Sequence, residues 1–527
     1  MFLRRHKENQ MEMVGFGGSL TRVLSKENQW VRLSEIIPWK EIEDRYAKLF
    51  ADSGMGAPAK SARIAFGALV IQAMKNYTDE ETAAQVAENP YLQYFLGMKE
   101  YQVVPLFDAS MMVHFRRRFG FENAKDINDM IIQYIQRAER PTKEEPPSSR
   151  DNDGDITKQN DQGNTQQHND EPSPNKGTLL LDATCAPSDI QYPTDLRLLN
   201  EGREKLERII DTLYKADQRE DKPKKPRTYR NKARMQYLVV AKKPKFRALQ
   251  MRKAIGKQLR YVKRDLKIIE EMLRQQSQDT LNQKQRKELE TIRTLYNQQS
   301  TMYQTKIRRI DHRIVSISQP HIRPIKRGKK KSPTEFGAKI AISVVNGLAQ
   351  IEKLSWENFN EGATMKESVE RYRQTYGYYP EVVLVDKLYR NRENIRYCQE
   401  RGIRITGPRL GRKNPQIQKE ERKIMIQDAR VRNAVEGKIG EGKRKYGLGL
   451  IRGKVKETSE TMIAFTMIAM NLARWLRGLF FFIFPMAILG RNRRNSEQFR
   501  GCSWSKSTYC ESTTTLLNMT TSLTGRR

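Results

Sequence analysis

The apolar positions of the first 140 residues recur at helical spacing. Ser61 to Lys75 (SARIAFGALVIQAMK) has the three-to-four-residue rhythm of a buried helix face. Thr78 and Glu81 in TDEE form a capping-box pattern that starts a second helix, which Pro90 in ENPYLQYFLG breaks. Ser110 is placed to cap a third, running through MMVHFRRRFG. The rhythm then stops. Residues 141–176, rich in Asp, Asn, Gln, Pro and Ser, are too polar to bury a core and read as a disordered linker. Thr178 to Thr184 (TLLLDAT) is an apolar run of strand length ending beside a carboxylate. Helical spacing returns from about 197 to 315. There Leu259, Val262, Leu266, Ile269 and Leu273 alternate by three and four, a coiled-coil seam. Leu289, Ile292 and Leu295 begin a partner helix, and the pair is expected to form an antiparallel hairpin.

Strand character resumes at Lys339–Val345 and Leu348–Leu354, which flank Asn346-Gly347, a strong two-residue hairpin signal. Ala363–Tyr376 reads as helix, Glu381–Asp386 (EVVLVD) as a buried strand, Asn391–Arg401 as helix, Ile403–Thr406 as a short strand and Ala429–Lys445 as helix. With the insertion set aside, this is the order of a ribonuclease-H-like mixed sheet. The expected fold class is therefore α/β: such a sheet, with a long helical insertion, preceded by an all-helical N-terminal domain. The expected divisions are 1–140 (helical, DNA-binding), 141–176 (linker), 177–196 with 335–480 (catalytic), 197–334 (basic insertion) and 481–527 (an apolar segment and a basic Ser/Thr tail).

Charge narrows the partner. Lys and Arg number 97 against 62 Asp and Glu, a formal net charge of +35. A surplus of that size draws polyanions, with nucleic acid ahead of an anionic membrane, because phosphate neutralisation releases counterions. Lys222–Arg234 (KPKKPRTYRNKAR), the run ending in Lys329, Lys330 and Lys331, and Arg116, Arg117 and Arg118 are the densest basic stretches. The last of these suits a helix-turn-helix DNA reader, or a plain bundle whose arginines are solvated. Leu479–Leu489 is apolar but about half the length a spanning helix needs. No membrane association is expected. Four cysteines and five histidines, none at zinc-ligand spacing, predict no disulfide framework and a reducing, cytoplasmic setting. No signal peptide is evident at MFLRRHKENQ.

Asp182 and Asp386 stand at the ends of apolar strands, where a carboxylate is costly to bury without a partner. Such an acid is often a cap or a hydrogen-bonded structural group. Two of them beside this charge also fit a pair of divalent cations, since magnesium takes a few carboxylate oxygens together with water and phosphate. Glu436 is the third candidate. It shares a helical face with Arg432 and Lys443, a pattern that an ordinary ion-paired surface helix would also produce. Asp195 in YPTD reads as a cap for the following helix, Glu393 as a helix-starting acid, and Trp356 as a core residue or a base-stacking one.

Arg432-x3-Glu436-x6-Lys443 resembles part of the Y-x2-R-x3-E-x6-K signature of bacterial insertion-sequence transposases of the DDE class. Glu436 follows Asp386 by 50 residues, within the range of such enzymes. The phrases ENPYLQYFLG, PLFDASMMVHFRRR, YPTDLRLLN, EFGAKIAISVVNG, GPRLGR and MIAMNLARWLR extend the resemblance over residues from about 15 to 480. It implies a ribonuclease-H-like core and Asp182, Asp386 and Glu436 as catalytic metal ligands. It also implies Mg2+ as a pair of ions (or Mn2+), and phosphate contacts from Arg432 and Lys443. Arg116–Arg118 and Lys329–Lys331 are further DNA-binding candidates. The implied activity is cutting of double-stranded DNA at element ends and joining of the 3′ ends to target DNA, by a homodimer. Alternatives are a nuclease without strand transfer and an inactive DNA-binding derivative. One position departs from the signature: Ala429 stands where the tyrosine belongs.

Overall fold

The computed structural model describes residues 20–50, 58–139, 174–217, 223–243, 247–275, 280–326, 334–407 and 417–494. The chain divides at Leu476 and Arg477 into two compact units. Most of the expected linker, all of Lys329–Lys331 and the tail beyond 494 lie outside the described residues.

Local signals near the N-terminus act much as the pattern predicts. Seven helices follow one another: α1 (Leu20–Val23), α2 (Gln29–Ile36), α3 (Trp39–Ala47), α4 (Ala62–Lys75), α5 (Asp79–Glu88), α6 (Pro90–Phe95) and α7 (Met111–Ala138). The capping box of Thr78 and Glu81 starts α5 with both reciprocal bonds present. Pro90 does more than end α5. It is the first residue of α6, where its missing N–H costs nothing, and Asn89 caps it. Ser110 makes no side-chain cap; Asp108 instead accepts its N–H at 2.8 Å. Helix α7 kinks at Gly120, whose φ of 65° a glycine adopts without steric cost.

One mixed sheet forms the second layer. Its strands are β1 (Thr178–Pro187), β2 (Arg323–Lys326), β3 (Thr334–Val345), β4 (Leu348–Ser355), β5 (Val382–Leu384) and β6 (Arg404–Ile405). β3 runs antiparallel to β1, while β5 is parallel to β1 and β6 parallel to β5. β4 and β2 both pair with β3. The hairpin turns at Asn346 (φ 52°) and Gly347 (φ 76°), both left-handed as the two-residue turn requires. Helix α12 (Met365–Tyr376) and helix α13 (Arg392–Glu400) surround a core with Leu179, Leu181, Val383 and Val385. These are the odd-numbered positions of β1 and of the β5 segment, so one face of both is committed to that core.

The insertion is a helical bundle of α8 (Asp195–Ala216), α9 (Arg230–Ala241), α10 (Ala248–Gln275) and α11 (Gln283–Thr305). Leu259, Val262, Leu266 and Ile269 of α10 share a core with Leu199, Leu206, Ile210 and Leu213 of α8 and with Leu289, Ile292 and Leu295 of α11. The expected packing of α10 with α11 is present, and α8, the next helix after β1, is a further and larger neighbour of α10. Within the chain, α8 and α11 pack against the seam. Thr194, not Asp195, caps α8; Asp195 pairs with Arg313 and accepts from Gln299 at 2.8 Å. Trp356 is a core residue whose Nε1 donates to Glu460 at 2.7 Å.

Helix α14 (Ile417–Lys445) packs across β1, and helix α15 (Lys456–Arg494) completes the described chain. No helix among the described residues is long and apolar enough to cross a membrane. Asn471 of α15 is fully buried. Its amide donates to Ala349 O at 2.8 Å and to Asn128 of α7 at 2.9 Å, and its oxygen accepts from Ala349 N at 2.8 Å. The N-terminal helices are thereby tied to the sheet through α7. Asn471→Ala would leave the N–H of Ala349 buried and without this partner. The expected cost is about 2–4 kcal/mol, read as a lower denaturant midpoint at unchanged slope. A loss below about 1 kcal/mol would show that the helices are held by apolar packing alone.

Candidate active site

Strand register, more than sequence distance, brings the two aspartates together. The parallel ladder between β1 and β5 ends at Leu180 opposite Leu384. Asp182 and Asp386 each lie two residues beyond that pair, so the register, continued, sets them level on adjacent segments of the chain. Both have the parity of Leu180 and Leu384, opposite to the residues committed to the α12–α13 core. Each side chain folds back on its own backbone: Asp182 Oδ1 accepts from Ala183 N at 2.8 Å, and Asp386 Oδ1 from Lys387 N at 2.7 Å. For Asp386 that bond also caps the short 3₁₀ turn Lys387–Tyr389. A capping role and a place in the site are therefore not exclusive.

Glu436 arrives on α14, whose Val435 and Ile439 are buried. The guanidinium of Arg432 links the acids. Its Nη1 lies 3.4 Å from Asp386 Oδ1 and its Nη2 3.0 Å from Glu436 Oε1. Burial pushes the Asp182 carboxyl above the ordinary aspartate range. Its own backbone bond and the Arg432 charge oppose that rise, whereas Glu361 and Glu436 add to it. All three predicted acids thus share one electrostatic neighbourhood with Arg432. Among the described residues no three acid, histidine or cysteine side chains are gathered closely enough to hold a metal ion. The donor chemistry does fit one: hard carboxylate oxygens, mutually repelling and already drawn to a cation.

The other predicted residues fall in different places. Lys443 lies 4.0 Å from Glu335 at the start of β3. Arg116 is a correction. It is 4% exposed and gives its guanidinium to Asp79 at 2.8 and 2.5 Å and to Gln72 at 3.0 Å, joining α4, α5 and α7. A side chain buried in that ion pair does not reach a DNA phosphate. Arg117 and Arg118 are exposed, the latter 4.1 Å over the ring of Phe50. Ala429, at the position of the missing tyrosine, is exposed on α14. Glu393 starts α13 and pairs with Lys366 at 2.5 Å, as an N-terminal acid should.

Glu361 was not legible as a neighbour of the site. It lies in a 3₁₀ turn between β4 and α12, pairs with Lys339 at 2.9 Å, and its charge acts on both Asp182 and the buried Tyr389. An acid in a loop of small and polar residues carries no spacing signal.

Two transposase family models match parts of the chain. A family described as a transposase DDE domain matches residues 383–473, which hold Asp386 and Glu436. A transposase domain (DUF772) matches residues 19–118, within the N-terminal helices. Both matches are to transposase families, and they bear out the resemblance to DDE-class transposases of insertion sequences. A curated relative, the uncharacterized protein ORF8 in the nfe locus of Rhizobium meliloti, is 28% identical over 112 residues, 21% of this chain and 53% of its own. The chain thus spans about half the length of that relative. No solved structure matches.

Because Asp182 holds its proton more tightly folded than unfolded, its contribution to stability falls as pH rises past the ordinary carboxylate range. In buffer free of divalent cations, Asp182→Asn should raise the melting temperature at pH 7 and leave it nearly unchanged at pH 3. Calorimetry at the two pH values reads the difference. A variant that melts lower at pH 7 would mean that Arg432 more than compensates the burial.

Proposed function

We propose that the chain is a transposase that cuts double-stranded DNA at the ends of its element and joins the freed 3′ ends to target DNA. The observation that carries this reading is the level placement of Asp182 and Asp386 beside a helix that presents Glu436 and Arg432. A mixed sheet whose central strand is antiparallel to one neighbour and parallel to the other supports a ribonuclease-H-like reading of the core. Asp182, Asp386 and Glu436 would hold a pair of magnesium ions. Bound there, such ions make a hydroxyl a strong nucleophile at neutral pH and stabilise the departing oxygen.

The protein's own part is positioning. Two strands and one helix, fixed by packing, hold the acids against their mutual repulsion, and Arg432 and Lys443 offer charge to the phosphate backbone. With a net charge of +35, long-range attraction brings DNA to the surface irrespective of sequence. The N-terminal helices are proposed to read the element's ends. Joining two ends calls for two protomers on DNA. The site of action is then the cytoplasm, where bacterial DNA lies.

Asp386→Asn should abolish divalent-dependent cleavage of end-containing DNA, while DNA binding survives or tightens because one repelling charge is gone. Retained cleavage would remove Asp386 from the catalytic set. Cleavage without joining of a 3′ end to a second duplex would leave a nuclease in place of a transposase. Binding should also fall steeply with salt, by roughly 10³-fold or more between 50 and 200 mM if about six phosphates are contacted. A salt-insensitive complex would count against the basic surface as the DNA interface.

A further inference from the structure

We infer that Arg432 and a divalent cation compete for the same carboxylates, so that taking up metal and releasing the Arg432 guanidinium are one event. The inference rests on the reading of Asp386 and Glu436 as metal ligands. One guanidinium serves two acids from different elements, at 3.4 Å to Asp386 and 3.0 Å to Glu436. The two acids therefore meet through Arg432. A magnesium ion needs its oxygens at about 2.0–2.1 Å. A guanidinium held by both carboxylates engages the oxygens such an ion would need, so the two cations compete.

Arg432 also has a way out. Its side chain is 25% exposed and sits on the outward part of α14, between exposed Val431 and Asn433. Freed, the guanidinium keeps five donors in a fork that matches a phosphate. A DNA phosphate that draws Arg432 away would clear the acids for metal, and metal that displaces Arg432 would present it to DNA. By linkage the two couplings are equal in size. Arg432 is thus a positioning residue that makes metal uptake depend on DNA.

The test is titration calorimetry of Mn2+ on the full-length chain and two variants, with and without short duplex DNA. Arg432→Gln removes the bridge. Lys387→Gln removes one positive charge beside Asp386 without removing a bridge, since Lys387 is exposed and donates to Asp386 through its backbone N–H. Arg432→Gln should tighten Mn2+ binding on the order of 3- to 10-fold, the value of a partly exposed bridged pair, and Lys387→Gln less than about 2-fold. DNA should tighten Mn2+ binding to the unaltered chain and have little effect on Arg432→Gln. Equal tightening in the two variants would reduce the effect to plain charge and overturn competition, as would an unchanged affinity in Arg432→Gln. Failure of all three proteins to bind Mn2+ would take down the metal-site reading together with the inference.

Discussion

The open edge of β4 is the constraint on which the arrangement of this protein depends. A strand with unpaired backbone groups must be covered or it invites pairing with other chains. Here the cover is made of side chains from far along the sequence. Asn471 and Asn128 meet Ala349, and Arg371 donates to Ile351 O at 3.1 Å. Gln350 reaches Asp129 of α7 at 2.7 Å. In satisfying one edge the chain docks its N-terminal helices and α15 onto the sheet that carries the acids. Phe465 of α15 then packs against both Phe66 and Phe119, which also touch each other, so an apolar contact accompanies the polar one.

That docking decides which arginines face solvent. Arg116, Arg117 and Arg118 are adjacent in a helix, about 100° apart, and only one face can be buried. Arg116 takes the inward position because Asp79, in the first turn of α5, supplies a carboxylate for it. The remaining two point outward. A basic run is therefore not a unit of function. Its members are divided by the helical period between holding the domain together and charging its surface.

Much of the fold is legible in the sequence because the determinants are local. The capping box before α5, the Asn346-Gly347 turn and the apolar runs of β1 and β5 each act within a few residues. The seam on α10 and its pairing with α11 were legible, but the larger contact with α8 was not, since periodicity reports that a face is apolar without saying everything that covers it. α8 covers it because the chain leaves β1 directly into that helix. Glu361 was illegible for the same reason: its closeness to Asp182 is created by the sheet and by Lys339, not by any spacing. Asp386 was legible as a strand-end acid, whereas Asp182, expected at a strand end, lies in the middle of β1, which runs on to Pro187. Their equal height depends on a parallel register that no single segment encodes.

The site itself is a balance between repulsion and a borrowed cation. Packing places three acids near one another, and burial makes the charge on Asp182 costly. An arrangement of acids alone would relax by moving apart or by binding protons. Arg432 offers a third solution, four residues from Glu436 on the same helix, so that the same turn of α14 supplies both an acid and its neutraliser. Because the pair is carried on one rigid element, the acid can hold its place while the arginine turns away. The competition inferred for Arg432 asks only for that side-chain movement, with α14 and Glu436 left in place.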